Sequence, residues 1–171
     1  MKHLYYGFGK GKTTCTIGIA IRAIGANKKV LFVQFLKSEN TCERAVLKDI
    51  KNLTLTDCPT TLKLTYNMTN DEFADVKKYY NNLYKTVTDK DFLNEFDVII
   101  YDEIFSLVDS NIITKDALLS FVDSISDDKE YVFTAHSVDE LIINKFDYVS
   151  HIKKDKHPFD KGVSARKGIE F

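Results

Sequence analysis

Gly7, Gly9 and Gly11 fall within five residues, and Lys12-Thr13-Thr14 follows at once. The run stands between a short apolar stretch, His3-Leu4-Tyr5-Tyr6, and a segment from Thr13 to Ala26 with Ile17, Ala20, Ile21 and Ile24 at helical spacing. Strand, glycine turn and helix together form the setting in which such a turn holds phosphate. Glycines let successive backbone N–H groups point into one concavity, and the helix adds the positive end of its dipole. Lys12 supplies a mobile cation for terminal phosphates, and the Thr13 hydroxyl is placed to ligate Mg²⁺. The strict pattern GxxxxGK followed by Ser or Thr requires glycine at position 6, where Tyr6 stands. The surrounding context carries the reading instead. Elsewhere glycine is scarce: of seven, none lies from Ala26 to Lys161, and the last two are Gly162 and Gly168.

Beyond the loop, apolar runs of strand length alternate with helical segments. Val30-Leu31-Phe32-Val33 and Phe96–Tyr101 read as strands buried on both faces, and Tyr131–Thr134 as a third. Leu53–Thr56 and Tyr148–Ile152 are further strands. Helices are expected over Glu43–Ile50, Asn70–Val87 (with Asn70 as cap), Lys115–Ile125 and Val138–Asn144. The alternation predicts an α/β fold, P-loop NTPase-like, with a mainly parallel sheet in a three-layer α/β/α arrangement. Asp102-Glu103 ends the Phe96 strand. Ligands of open parallel sheets bind at that end, where an acid can hold Mg²⁺ directly or through water. The sequence does not separate the two carboxylates, and a helix-capping pair is the bland alternative.

The 171 residues suit one domain. With 44% hydrophobic and 29% charged residues, general disorder is not expected. A net charge of −1 argues against a dedicated nucleic-acid binder. No apolar run reaches membrane-spanning or signal-peptide length, so no membrane association and a cytoplasmic location are expected. Cys15, Cys42 and Cys58 form no CxxC pair and read as reduced thiols. Residues 153–171 hold six basic and three acidic residues, a net +3, against 18 basic and 22 acidic, −4, elsewhere. Taken alone, such a tail reads as a solvated end.

Longer motifs go further. GKGKTT is followed by Arg22-Ala23-Ile24-Gly25, then Val33-Gln34-Phe35-Leu36-Lys37, and the chain closes on Lys156-His157-Pro158 through Gly162, Ala165-Arg166 and Gly168-Ile169-Glu170-Phe171. This set resembles the ATP:corrinoid adenosyltransferases of the CobA/CobO/BtuR type. That family reads GxGKGKTT, RAxG, QFxKG, an acidic DE and a terminal KHPxxxGxxARxGIEF. The resemblance runs end to end and is weakest over about Asn52 to Asn94, the stretch expected to line the corrinoid pocket.

The resemblance implies transfer of the 5′-deoxyadenosyl group of ATP to the cobalt of a reduced corrinoid, with triphosphate leaving. Lys12 and Lys10, with Mg²⁺, would neutralise charge on the leaving group. Thr13 and Glu103 would hold the metal, with Asp102 behind them or in their place. Gly7, Phe8, Gly9, Lys10, Gly11, Lys12, Thr13 and Thr14 would form the nucleotide cradle, joined by Arg22, Glu43 at the ribose, His136 and Arg166. The implied partners are ATP, a corrinoid (cobalamin, cobinamide or cobyrinic acid a,c-diamide), a corrinoid reductase and a second copy of the chain. Four departures from the family pattern are expected to bear on the corrinoid: Phe8 replaces a small polar residue, Ser38 a glycine and His136 an arginine, and the sequence opens almost at the first strand, without the extension that covers the corrinoid in some members. Two other functions share the loop: a small P-loop nucleotide or nucleoside kinase, and a non-catalytic ATP or corrinoid binder. The kinase does not account for the C-terminal motif; the binder, a degenerate member of the same family, is kept open by the substitutions at Phe8, Ser38 and His136. Tyr79, Tyr80 and Tyr84 read as core or interface rather than as a corrin contact.

Overall fold

The computed structural model describes residues 1–59 and 68–171. Segment 60–67, within the weakly matching middle expected to line a corrinoid pocket, lies outside the described residues. In chain order the elements are β1 (Lys2–Tyr6), α1 (Lys12–Gly25), β2 (Val30–Gln34), α2 (Cys42–Leu47), β3 (Leu53–Leu55), α3 (Asn70–Val87), α4 (Lys90–Leu93), β4 (Val98–Asp102), α5 (Ser106–Asp109), α6 (Lys115–Ser124), β5 (Glu130–Ala135), α7 (Glu140–Ile143) and β6 (Tyr148–His151). A 3₁₀ turn, Pro158–Lys161, orders part of the tail.

All six strands run parallel in the order β3-β2-β4-β5-β1-β6. The expected α/β class stands, and the sheet is wholly rather than mainly parallel. Every residue of β2 and β4 is buried, which explains their unbroken apolar runs: helices cover both faces. On one face Val30, Phe32, Val98, Ile100 and Val132 pack with Ala20 and flanking Ile17 and Ile24 of α1. On the other, Leu31, Val33, Ile99, Tyr101 and Phe133 meet Tyr80 of α3 and Leu118, Phe121 and Val122 of α6. Each fully buried side chain of this size contributes roughly 1.5–3 kcal/mol relative to exposure. The register aligns the carboxyl ends, pairing Gln34 with Asp102 and Tyr6 with Ala135. One edge of the sheet therefore collects the ends of β1, β2, β4 and β5.

Three local expectations are corrected. Thr69, not Asn70, caps α3. Its hydroxyl accepts the Glu72 N–H at 3.2 Å, and Glu72 returns a bond from the Thr69 N–H at 2.9 Å, closing a capping box. Thr69→Ala is expected to cost about 1 kcal/mol and lower Tm by roughly 2–4 °C, readable in a thermal melt. Asp102 belongs to β4 instead of following it, because its backbone continues the β2 ladder beside Gln34. The helix expected over Val138–Asn144 is one turn, capped by Asp139, whose side chain accepts the Ile142 N–H. Tyr80 and Tyr84 are built into the protein body: Tyr80 is buried, and the Tyr84 ring packs edge-on to Phe121. Tyr79 donates to the Asp57 carbonyl and meets Tyr80 edge-on.

Candidate functional site

β1 ends at Tyr6 and the chain turns through Gly7 to Gly11 into α1. Gly7 has φ of 121°, and a Cβ there would lie 2.4 Å from the Ile152 carbonyl oxygen. At Gly9 a Cβ would meet the Lys153 carbonyl oxygen at 2.5 Å. Both glycines are thus required by the chain leaving β6, which presses on the loop: Gly9 N–H donates to Ile152 O at 2.9 Å. The amides of α1's first turn have no helical acceptor behind them and face the cleft as a partial positive charge.

Lys12 is 8% exposed, and its Nζ donates to the carbonyls of Gly7 at 2.7 Å and Gly9 at 3.4 Å. Thr13 Oγ1 donates to both Asp102 carboxylate oxygens, at 3.0 and 3.1 Å. Asp102 is fully buried and also accepts from Thr134 Oγ1 at 2.9 Å and from Gln34 Nε2 at 3.5 Å. Burial pushes its carboxyl up, against the pull of Lys37 and the two threonine hydroxyls. Glu103 follows with φ of 63°, a left-handed conformation that a glutamate rarely adopts. Its N–H donates to Thr134 Oγ1 at 2.7 Å, which fixes that turn. Its carboxylate is thereby aimed across the loop, accepting from Ser106 Oγ at 3.2 Å and lying 3.4 Å from His136 Nε2. Strain of this kind costs of order 1–3 kcal/mol and persists where the surroundings enforce it.

Lys37, Glu103 and the loop residues from Phe8 to Thr14 line one cleft of about 280 Å³, together with His157, Ile169 and Glu170 of the tail. The basic tail therefore touches the phosphate loop through His157, Ile169 and Glu170, while most of residues 153–171 stay exposed. Lys10 Nζ donates to Glu170 at 2.8 Å, and Glu170 is held in turn by Arg166. The Phe8 ring, 68% exposed, stacks on His136 with centroids 6.0 Å apart. Another cavity, about 310 Å³, opens at the amino end of the sheet; there Lys129 is committed to the Leu93 and Phe96 carbonyls.

Of the residues expected from sequence, the loop, Asp102, Glu103 and His136 come together at one place, and Arg166 joins them through Glu170. Glu43 is one step removed, accepting from Gln34 Nε2 at 3.2 Å. Arg22 is not brought there. It is exposed in the last turn of α1, ten residues and thus about 15 Å along the axis from Lys12. Sequence reasoning misses Gln34, Thr134 and Lys37 as site residues. The signal for Gln34 and Thr134 is their position at the ends of buried strands flanking Asp102.

Oxygen donors suit Mg²⁺: the Thr13 hydroxyl backed by Asp102, with the Glu103 carboxylate across the cleft. Among the described residues no group of three or more His, Cys, Asp or Glu is arranged around a metal position. That is compatible with an ion held by one or two protein oxygens plus phosphate and water.

The family model described as ATP:corrinoid adenosyltransferase BtuR/CobO/CobP matches residues 1–171. The corrinoid adenosyltransferase of Escherichia coli strain K12 is 24% identical over 168 residues, covering 98% of this chain and 84% of that protein. CobA of Salmonella typhimurium strain LT2 gives the same identity and coverage. The corrinoid adenosyltransferase of Pseudomonas aeruginosa PAO1 is 24% identical over 180 residues, covering 98% and 82%. Domain III of the Thermotoga maritima replication initiation protein DnaA overlaps 88% of this chain and 54% of that one, with a TM-score of 0.44 and 13% identity. No described helix is long and apolar enough to cross a membrane.

Proposed function

The chain belongs to the ATP:corrinoid adenosyltransferase family of BtuR, CobO and CobP, and we propose accordingly that it moves the 5′-deoxyadenosyl group of MgATP onto the cobalt(I) of a reduced corrinoid. The family's general activity, ATP-dependent adenosylation of corrinoids, makes the chain a transferase. The finer reading is supported above all by one observation: the N-terminal loop and the C-terminal motif, more than 140 residues apart, line the same cleft. A simple phosphate-binding kinase loop gives no reason for that tail to be there.

In this reading cobalt(I) donates an electron pair to C5′ of the ribose, the C5′–oxygen bond breaks, and the pair leaves on triphosphate. The protein's task is to hold a leaving group whose negative charge grows. Loop amides and the α1 dipole point at it from fixed positions. Lys12 is held by neutral carbonyls, so it transfers to a phosphate oxygen without breaking an ion pair. Lys10 and Arg166 approach from the tail side. Thr13 and Glu103 would hold Mg²⁺, with Asp102 fixing the Thr13 hydroxyl from behind. When bound, the metal would screen triphosphate charge. Phe8 and His136 stand at the mouth, where the family carries a small polar residue and an arginine. Glu43, tied to Asp102 through Gln34, is the candidate for the ribose. A homodimer and a reductase supplying the cobalt(I) state complete the reading.

The test is an anaerobic reaction of the full chain with MgATP and chemically reduced cob(I)alamin, followed by corrinoid absorbance with phosphate products identified. A light-sensitive cobalt–carbon product with one triphosphate per adenosyl group is expected. ADP in place of triphosphate would sink the proposal and favour a kinase. If cobalamin is inert, cobinamide in the same assay separates the wrong corrinoid from an inactive protein.

A further inference from the structure

Lys12 is held by neutral carbonyls, whereas Lys10 is already ion-paired. Glu170 Oε1 accepts from Lys10 Nζ at 2.8 Å and from Arg166 Nη2 at 3.0 Å. Glu170 Oε2 accepts from Arg166 Nε at 3.2 Å and from the Arg166 backbone N–H at 2.8 Å. One carboxylate thus spends a lysine and the Nε–Nη2 edge of a guanidinium, the edge that grips a phosphate bidentately. Those donors, Arg166 foremost, hold the Glu170 carboxyl well below the usual range. Glu170 also lines the cleft with Lys12 and Thr13. A triphosphate seated there needs the same donors and meets a like charge beside it.

Resting on the nucleotide reading above, we propose that Glu170 is an internal competitor of the polyphosphate: Lys10 and Arg166 are exchanged between the tail carboxylate and the ligand's phosphate oxygens as triphosphate binds and leaves. The two loop lysines then divide the work. Lys12 anchors phosphate in exchange only for carbonyl bonds. Lys10 is drawn from an ion pair, and the pair re-forms when product departs. Glu170 is in this sense a positioning residue whose return helps to expel triphosphate, the product that would otherwise stay in a cradle built for it.

The experiment measures binding of inorganic triphosphate with Mg²⁺ to the full chain by calorimetry, at low and at raised ionic strength. Glu170→Gln is expected to bind about three- to fivefold more tightly than wild type in low salt, the scale of an exposed ion pair. The gain should shrink as salt screens it. In turnover, triphosphate should inhibit the Gln variant at correspondingly lower concentration. Glu170→Asp keeps the charge on a shorter stem, and competition predicts no tightening for it. Equal tightening in both variants, or unchanged or weaker binding in Glu170→Gln, would overturn the proposal and leave Glu170 as a tail fastener. Thermal melts of both variants show whether tail docking was lost, and a destabilised Gln variant that still binds more tightly sustains the proposal. Lys12→Ala is the separate control: triphosphate binding that survives it, or wild type that binds none, overturns the nucleotide reading and this inference with it.

Discussion

Replacing Lys12 with alanine is expected to lower adenosyl transfer by about 10²–10³-fold, the usual loss when one preorganised donor to a developing charge is removed. The expectation rests on where the ammonium is. It is 8% exposed and reaches the Gly7 and Gly9 carbonyls from beneath the loop. It is therefore prepositioned under the cradle, and its exchange to phosphate costs two hydrogen bonds to neutral acceptors, each worth only about 1 kcal/mol net. The Gly7 and Gly9 carbonyls lose a buried donor, at a cost of about 1–3 kcal/mol, so the melt should fall by roughly 2–12 °C while far-UV circular dichroism matches wild type. The checks are single-turnover transfer under anaerobic conditions and nucleotide binding by calorimetry. Transfer within tenfold of wild type would remove Lys12 from the mechanism. The size of the loss also separates Lys12 from Lys10. Lys10 is half exposed and already paired to Glu170, so its substitution should cost less.

Much of this site was legible in the chain because its parts obey local rules. A glycine cluster between an apolar strand and a periodic helix announces the loop, and Asp102-Glu103 at the end of a buried run announces an acidic strand end. Thr69 with Glu72 three residues later is a capping-box signal that outranks Asn70, and it was present in the sequence. Arg22 could be placed away from the phosphates by the rise of the helix alone. Other features needed three dimensions. Gln34 and Thr134 are ordinary polar residues until register sets them beside Asp102. The left-handed turn at Glu103 carries no compositional mark. The one-turn helices α4 and α5 are too short to show a period. Glu170 and Lys10 meet across 160 positions, a contact that no spacing rule encodes.

The glycines of the loop divide by mechanism, and a pair of substitutions exposes the division. Gly7→Ala is expected to destabilise the protein by about 3 kcal/mol or more, whereas Gly11→Ala should cost only about 1–2 kcal/mol of backbone strain. Both positions have positive φ, at 121° and 116°. They differ in what surrounds them. A Cβ at Gly7 would stand 2.4 Å from the Ile152 carbonyl oxygen, and that carbonyl cannot retreat, because it already accepts the Gly9 N–H. A Cβ at Gly11 meets nothing within 4 Å. In a domain of this size the two costs correspond to falls in Tm of roughly 6–12 °C and 2–8 °C. The functional consequences should diverge as well. Gly7→Ala forces the β6 exit away from the loop, so the tail carrying His157, Arg166 and Glu170 should lose its seat, and trypsin should reach Arg166 and Lys167 faster. Gly11→Ala should leave tail cleavage at the wild-type rate and act only through the amides that open α1. If both variants melt alike and the tail of Gly7→Ala is cleaved no faster than that of wild type, the loop and the tail are not mechanically joined through Ile152, and crowding by its carbonyl is not why position 7 is glycine.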